Sequence, residues 1–391
     1  MPETLNAPWM HREDLRGLVA ALGEGNARYV GGAVRDTLLD LPVKDIDMAT
    51  VLLPEAVIER LDAAGIRNVP TGIEHGTVTA VLPYGPVEIT TLRHDVSTDG
   101  RRATVAFAED WREDAARRDF TINALYADPH GGEIHDWFDG LADLSARHVR
   151  FIGDARQRIR EDHLRILRYF RFQARFGSSP ADTEAEAACS ELAATLKGLS
   201  RERVGMETMN LLGLPDPAPT VQRMRELGVL EVILPEADPD ALAVLVAAER
   251  MQGIAPEAIR RLAALLPPQP TLAEQVAARF RLSAAQKKRL ALAAAREGSP
   301  GEPRALAYRL GRDRALDRLL IAGADVSTLA GWEIPTMPLK GGQIVARGVG
   351  AGPDVARILR RVEDRWIAEG FPQGERVDVL LDEVLAEEPL A

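Results

Sequence analysis

Gly31-Gly32-Ala33-Val34-Arg35-Asp36, followed nine residues on by Asp45-Ile46-Asp47, is the stretch on which the reading of this chain turns. The residues before it, Ala27-Arg28-Tyr29-Val30, read as a short strand. A glycine pair after a strand lets backbone N–H groups approach an anion closely, and a helix opening near Val34 adds its positive end. Arg35 carries a planar fork suited to phosphate oxygens. Lys44-Asp45-Ile46-Asp47-Met48-Ala49 reads as the next strand, on which residues i and i+2 share a face. Two carboxylates on one face repel each other, and a hard cation between them removes the conflict. Mg²⁺ suits such a site, because it takes one or two carboxylates and fills its other positions with substrate phosphates and water. Taken singly, a Gly-Gly turn is a turn and an Asp-x-Asp pair is a solvated strand edge; the order and spacing together suggest a triphosphate cradle beside a metal pair.

Outward from this stretch the chain divides in two. Strand signals fall at Arg28–Val30, Ile46–Ala49, Thr77–Pro83, Val87–Leu92 and Asn123–Asp128, with a helix at Pro54–Ala64 and a hairpin at Tyr84-Gly85-Pro86. From about residue 140 helical periodicity takes over, in segments that include Ile159–Phe176, Asp182–Leu196, Arg201–Leu212 and Asp354–Glu369. The expectation is an α+β head with a mixed sheet over 1–139, a helical neck over 140–212, and a helical body and tail over 213–391.

Composition narrows the function classes. No apolar run reaches membrane-span length, and a single cysteine, Cys189, permits neither an internal disulfide nor a cysteine-based zinc site. Both points favour a cytoplasmic protein with no membrane partner. A formal net charge of −11 argues against indiscriminate binding of nucleic acid. Yet from Arg147 to Arg175 nine arginines face three acids, a local excess of six positive charges. An acidic chain with one such segment points to a localised polyanion site.

Two further strings carry chemistry. Val87-Glu88-Ile89-Thr90 is a strand whose Glu88 is either a third carboxylate for the metal pair or an exposed strand glutamate. In Arg160-Glu161-Asp162-His163-Leu164-Arg165-Ile166-Leu167-Arg168-Tyr169-Phe170-Arg171, read as one helix, Asp162 and Arg165 share a face that Arg168 and Arg171 continue. The plain reading is a surface ion pair worth ~0.2–0.5 kcal/mol. The other reading comes from base chemistry. Adenine and cytosine present an amino donor beside a ring-nitrogen acceptor, whereas guanine and uracil present a carbonyl beside an N–H donor. An aspartate with an arginine offers acceptor plus donors, which fits A and C and leaves G and U unpaired at both positions. Such a mismatch supports discrimination of ~10⁴-fold or more.

Gly31-Gly32-x-x-Arg35-Asp36-x-Leu38-Leu39…Asp45-x-Asp47, the unbroken string Arg117-Arg118-Asp119-Phe120-Thr121-Ile122-Asn123-Ala124, and Glu161-Asp162-x-x-Arg165 occur in that order. Together they resemble the class II tRNA nucleotidyltransferase and poly(A) polymerase family of the polymerase-β-like nucleotidyltransferase superfamily. A looser match follows at Arg203-Val204-Gly205-Met206-Glu207-Thr208-Met209-Asn210, where the family has a lysine in place of Asn210. The resemblance covers about residues 28–212. It implies that Asp45 and Asp47, with Glu88 as a third candidate, hold two Mg²⁺ ions, and that Gly31, Gly32, Arg35 and Asp36 form the phosphate turn. It implies Arg118 at the triphosphate, Asp119 and Asn123 holding the ribose region, Asp162 and Arg165 reading the base, and Arg168 and Arg171 on phosphates. It also implies a flexible loop within 94–116. The expected activity is addition of C, C and A to the tRNA 3′ end from CTP and ATP, with tRNA bound by the later helices. The alternatives are a poly(A) polymerase, an enzyme adding only CC or only A, and, more remotely, a non-catalytic RNA-binding protein. The first lacks support from an arginine-rich 94–116 or a basic C-terminus; this chain ends Leu381-Asp382-Glu383-Val384-Leu385-Ala386-Glu387-Glu388-Pro389-Leu390-Ala391.

Overall fold

The alternation of buried and half-buried residues in Ala27–Val30 and Ile46–Thr50 makes these two segments the centre of a sheet, with Tyr29, Val30, Met48 and Ala49 in the core. The computed structural model describes residues 4–98, 103–108, 110–296 and 302–387. Its strands are β1 (Ala27–Val30), β2 (Ile46–Thr50), β3 (Asn68–Gly72), β4 (Thr77–Leu82), β5 (Gly85–Thr91), β6 (Arg93–Thr98), β7 (Ala103–Phe107), β8 (Leu125–Ala127) and β9 (Ile134–Asp136). Seven of them form one mixed sheet in the order β3-β4-β5-β2-β1-β8-β9, in which β2 and β5 run parallel; β6 and β7 pair separately.

Both ends of the large sheet are interrupted. Edge strand β3 carries Pro70, which has no N–H to offer, and its register shifts between Val69 and Gly72. At β9 the N-terminal segment bridges on: Thr4 pairs with Glu133, and Leu5 N–H donates to the Gly132 carbonyl at 2.6 Å. Gly132 stands at φ +69°, and a Cβ there would lie 2.0 Å from the Leu5 carbonyl oxygen, so only glycine fits.

The helices around and after the sheet are α1 (Glu13–Leu22), α2 (Gly32–Leu38), α3 (Pro54–Ala63), α4 (Trp111–Ala116), α5 (Gly140–Ala146), α6 (Ala155–Glu161), α7 (Arg165–Phe176), α8 (Thr183–Leu192), α9 (Arg201–Leu212), α10 (Ala218–Glu226) and α11 (Leu230–Ile233). The chain packs as two units, Met1–Pro235 and Glu236–Ala391, so the 139 and 212 boundaries read from the sequence both fall inside the first. Within that unit the helical part is joined to the sheet through rings. Phe120 lies 5.0 Å from both Phe151 and Phe172, and Phe151 stacks on Tyr169 at 5.8 Å.

The second unit is helical throughout its described residues: α12 (Pro239–Met251), α13 (Ala258–Leu265), α14 (Pro270–Arg279), α15 (Ala284–Ala294), α16 (Pro303–Leu310), α17 (Arg312–Ile321), α18 (Gly341–Ala346), α19 (Pro353–Ala368) and α20 (Glu375–Glu387). Trp366 and Phe371 anchor one core cluster, and Leu319 and Leu320 belong to another. No helix is long and apolar enough to cross a membrane.

Three expectations are corrected. The segment Ile159–Phe176 is two helices, not one: Asp162 sits at φ −148° and ψ 105°, an extended residue that ends α6 before α7 begins at Arg165. Asp162 and Arg165 therefore do not share a helical face. The expected loop at 94–116 is largely the β6–β7 ribbon and α4; residues 99–102 and 109 lie outside the described residues. Strands β3 and β9 went unread because Pro70 and Gly72 look like turn residues and β9 has only three residues.

Candidate active site

The parallel pairing of β2 with β5 sets Asp47 directly opposite Glu88. Asp45 lies just before β2 and is exposed, two residues from Asp47. Burial, the charge of Glu88 and then that of Asp45 push the Asp47 carboxyl up to about 6, against the pull of Arg118. A carboxylate held uncomfortably by two like charges is the donor set a hard cation relieves. Among the described residues no group of three metal-ligating side chains converges.

Gly31 forms the turn above this pair. Its φ of +67° belongs to glycine, and its N–H donates to the Leu125 carbonyl at 3.1 Å. A Cβ at Gly31 would lie 3.5 Å from Arg118 Nη1, so the turn brings bare backbone against that guanidinium. Arg118 is held from behind: Nε donates to the Tyr126 hydroxyl at 2.9 Å and Nη2 to Asp114 at 3.3 Å. The Tyr126 hydroxyl in turn donates to Asp114 at 2.5 Å. Asp114, fully buried, also receives Arg117 Nε at 2.9 Å. Nη1 is left at the turn for an anion.

Arg35, expected at the phosphates, is engaged within the protein. It is buried; its Nε donates to Asp36 at 2.8 Å and its Nη1 to Asn123 Oδ1 at 2.5 Å, and its guanidinium lies 4.2 Å from the Phe176 ring centre. Asp36 is taken up as well, by Arg35 and by Arg175 at 3.2 Å. These two residues brace the turn from beneath. Asn123 passes the chain of bonds to Asp119 at 2.9 Å, and Asp119 receives Arg168 through Nε and Nη2 at 2.7 and 2.5 Å. Burial would raise the Asp119 carboxyl, but Arg168 and the Asn123 and Phe120 hydrogen bonds overcome it and hold it down at about 2.

The reading pair is separated. Asp162 accepts from Leu164 N–H at 3.1 Å and from Arg203 Nη2 at 2.7 Å. Arg165 Nη1 donates to Glu161 at 2.9 Å and to the Arg158 carbonyl at 3.1 Å; Nη2 donates to the Arg117 carbonyl at 3.0 Å. Two of its five N–H groups remain for a ligand. Arg171 is gripped by buried Glu207 at 2.6 and 3.3 Å.

Sequence reasoning missed Asp114, Tyr126, Arg203 and Glu207. Asp114 stands four residues before Arg118, a spacing that offered a signal, and Arg203 and Glu207 lie in the loosely matching fifth string. The Tyr126 role had no sequence signal, because it depends on β8 passing beneath Arg118.

Residues 27–150 match the family described as "Poly A polymerase head domain", and residues 182–240 match "Probable RNA and SrmB- binding site of polymerase A". The chain is similar to the mitochondrial CCA tRNA nucleotidyltransferase 1 of Mus musculus, 33% identical over 386 residues that cover 92% of this chain and 87% of the relative. It is similar over a shorter reach to the CCA-adding enzyme of Latilactobacillus sakei, 43% identical over 188 residues, 48% of this chain and 46% of the relative. The crystal structure of the Bacillus stearothermophilus CCA-adding enzyme in complex with CTP matches with a TM-score of 0.71 at 28% identity, covering 98% of this chain and 99% of that one. With likeness to the mouse enzyme running nearly end to end and the head match spanning the phosphate turn and the carboxylate pair, the chain belongs to the CCA tRNA nucleotidyltransferase family.

Proposed function

We propose that this protein adds C, C and A to the 3′ end of tRNA, taking the nucleotides from CTP and ATP without a nucleic-acid template and releasing pyrophosphate. The observation that carries the reading is the single cluster formed by Asp47, Glu88, the Gly31 turn and Arg118. It joins a cation-seeking carboxylate pair to an anion-seeking guanidinium with glycine backbone between them. Asp45 and Asp47 are the residues that would hold Mg²⁺, in two ions, with Glu88 beside them. Bound there, the metal would lower the pKa of the primer hydroxyl and offset charge on the departing pyrophosphate.

The chain's own residues supply position. Arg118, fixed by Tyr126 and Asp114, presents Nη1 to the triphosphate. Asp119 and Asn123 lock the turn to Arg168, so a shift on α7 is felt at Arg35 and at the glycine turn. Asp162 offers an acceptor and Arg165 two free donors to the pairing edge of C or A; neither arrangement suits G or U. Arg168 and Arg171, each partly open to solvent, face the nucleotide phosphates. The arginine-rich stretch 147–175 is the segment we assign to the tRNA acceptor end, bound through backbone and shape, although seven of its nine arginines are already paired with carboxylates, so its local charge is largely offset. The lone, buried Cys189 agrees with a reducing compartment, and we place the protein in the cytoplasm.

The test is purified protein with tRNA ending at the discriminator base, offered CTP, ATP or both. CTP alone should extend the tRNA by two nucleotides and the mixture by three, read on a denaturing gel. Long products with ATP alone would indicate a poly(A) polymerase, and a stop after CC in the mixture a CC-adding enzyme.

A further inference from the structure

Asp162 and Arg165 stand three residues apart, one an acceptor and the other a set of donors. Left to themselves such side chains satisfy each other, and a reader whose two halves are bonded together has nothing to show a base. Here the two side chains are not bonded to each other. Asp162 is drawn to Arg203 of α9, at 2.7 Å, while Arg165 is engaged by Glu161 and by the carbonyls of Arg158 and Arg117. Each half has its own anchor.

The anchor on Asp162 has a particular form. Its backbone is extended and lies between two helices, so no helical packing fixes the carboxyl. Orientation comes instead from two contacts on different oxygens: Leu164 N–H on Oδ1 and Arg203 Nη2 on Oδ2. A carboxylate accepts about four hydrogen bonds, so two acceptor directions remain, in a plane set by those contacts. Arg203 is itself backed by its helix. Glu207, one turn on and on the same face, is buried and binds Arg171 at 2.6 Å, clasping α9 to α7.

We propose that Arg203 is a positioning residue for base selection: by holding the Asp162 carboxylate apart from Arg165 and in a fixed plane, it keeps the reading pair open to the incoming base. The inference rests on the reading of Asp162 as the base acceptor. Without Arg203 the carboxylate is free to rotate toward Arg165 or into water. The amino group of C or A then loses its aligned acceptor, and the carbonyl of U or G no longer meets a fixed carboxylate. Arg203 touches neither substrate nor metal in this scheme; it acts through Asp162.

The experiment is single-turnover incorporation of CTP, ATP, UTP and GTP into the same tRNA by Arg203→Ala, Arg203→Lys, Asp162→Ala and the Asp162→Ala/Arg203→Ala double variant. Arg203→Ala should reduce the preference for CTP over UTP by about tenfold or more, mainly through weaker apparent binding of CTP. Arg203→Lys, which keeps the charge at Asp162, should recover most of that preference. The double variant should be no less selective than Asp162→Ala alone. A merely structural Arg203 would lower the thermal midpoint and scale all four rates together. Selectivity unchanged in Arg203→Ala while Asp162→Ala loses it would overturn the inference and leave the reading of Asp162 standing. Selectivity unchanged in Asp162→Ala as well would overturn that reading and the inference with it. Should Arg203→Ala fold poorly, Arg203→Lys and Arg203→Gln carry the same comparison, with the glutamine variant expected to lose selectivity and the lysine variant to keep it.

Discussion

Both units of this protein contain a network of arginines and carboxylates, and the two networks differ in where they stop. In the second unit Glu249 receives Arg260 at 2.6 Å and Arg261 at 2.8 Å, and Asp317 receives Arg289 at 2.7 and 2.9 Å. Arg260 and Arg261 are 3% and 1% exposed, so the Glu249 part of that network is sealed, while the Arg289 side chain at its rim is 24% exposed. In the first unit the chain of bonds from Asp36 through Arg35, Asn123, Asp119 and Arg168 to Glu207 ends in arginines about a third open to solvent: the Arg168 side chain is 32% exposed and that of Arg175 34%. The carboxylates record the difference. Burial wins at Asp317, whose carboxyl is raised despite Arg289, whereas charge and hydrogen bonds win at Asp119. A buried ion network is therefore not by itself a site. What marks one here is a pair of carboxylates that crowd each other, Asp47 and Glu88, with the charge of Arg118 acting on Asp47.

The largest test of this contrast is Asp47→Ala. Loss of the carboxylate proposed to hold the metal should cost several kcal/mol of transition-state stabilisation, on the order of 10⁴-fold in the single-turnover rate, for both CTP and ATP. Its thermal midpoint should hold or rise, since a repelled carboxylate has gone; a large fall would make Asp47 a structural residue like those of the second unit. Glu249→Ala should do the reverse. It removes the carboxylate shared by two buried guanidinium groups and should destabilise by about 3–5 kcal/mol, measured by denaturant unfolding. If it left stability unchanged, the sealed network would not be a stabilising element.

A smaller effect is expected from Asp119→Asn, and it depends on pH. A carboxyl held at about 2, against an ordinary value of 3.8, contributes stability that is full above pH 4 and is lost as pH falls through the native value. The parent should therefore exceed the variant by about 2 kcal/mol near neutrality, and the gap should shrink between pH 4 and 2. A gap that stayed constant over that window would mean Arg168 does not hold the Asp119 charge.

The elements legible in the sequence were those with local periodicity or a dense motif. Tyr29 and Val30, the Asp45–Asp47 spacing and the helix Arg201–Leu212 are local facts, and the structure keeps them. Glu88 could be read only as either a third carboxylate or an exposed strand glutamate, because the parallel pairing of β2 with β5 that sets it opposite Asp47 is not written in either strand alone. Other features resisted reading for physical reasons. Helical periodicity ran through 159–176 because the three residues at the break, Asp162, His163 and Leu164, keep the apolar spacing of α7 in phase with that of α6. Arg35 looked like a phosphate ligand because its motif position is local, while its burial against Phe176 and Asn123 comes from residues about 90 to 140 positions away. Glu249 with Arg260 and Arg261 has no motif at all.

The treatment of the two sheet edges bears on association. Pro70 denies the β3 edge a donor, and the Thr4–Glu133 bridge with the Leu5–Gly132 bond occupies the backbone just before β9. A second copy of this chain arriving side-on meets a missing donor at one edge and, beside the other, backbone already bonded to the N-terminal segment. Crowded alongside its own kind, the head is thus guarded against growing into a continuous intermolecular sheet. At Gly132 that guard depends on the absence of one carbon atom: any larger residue would push the N-terminal segment off β9 and bare its backbone to a neighbour.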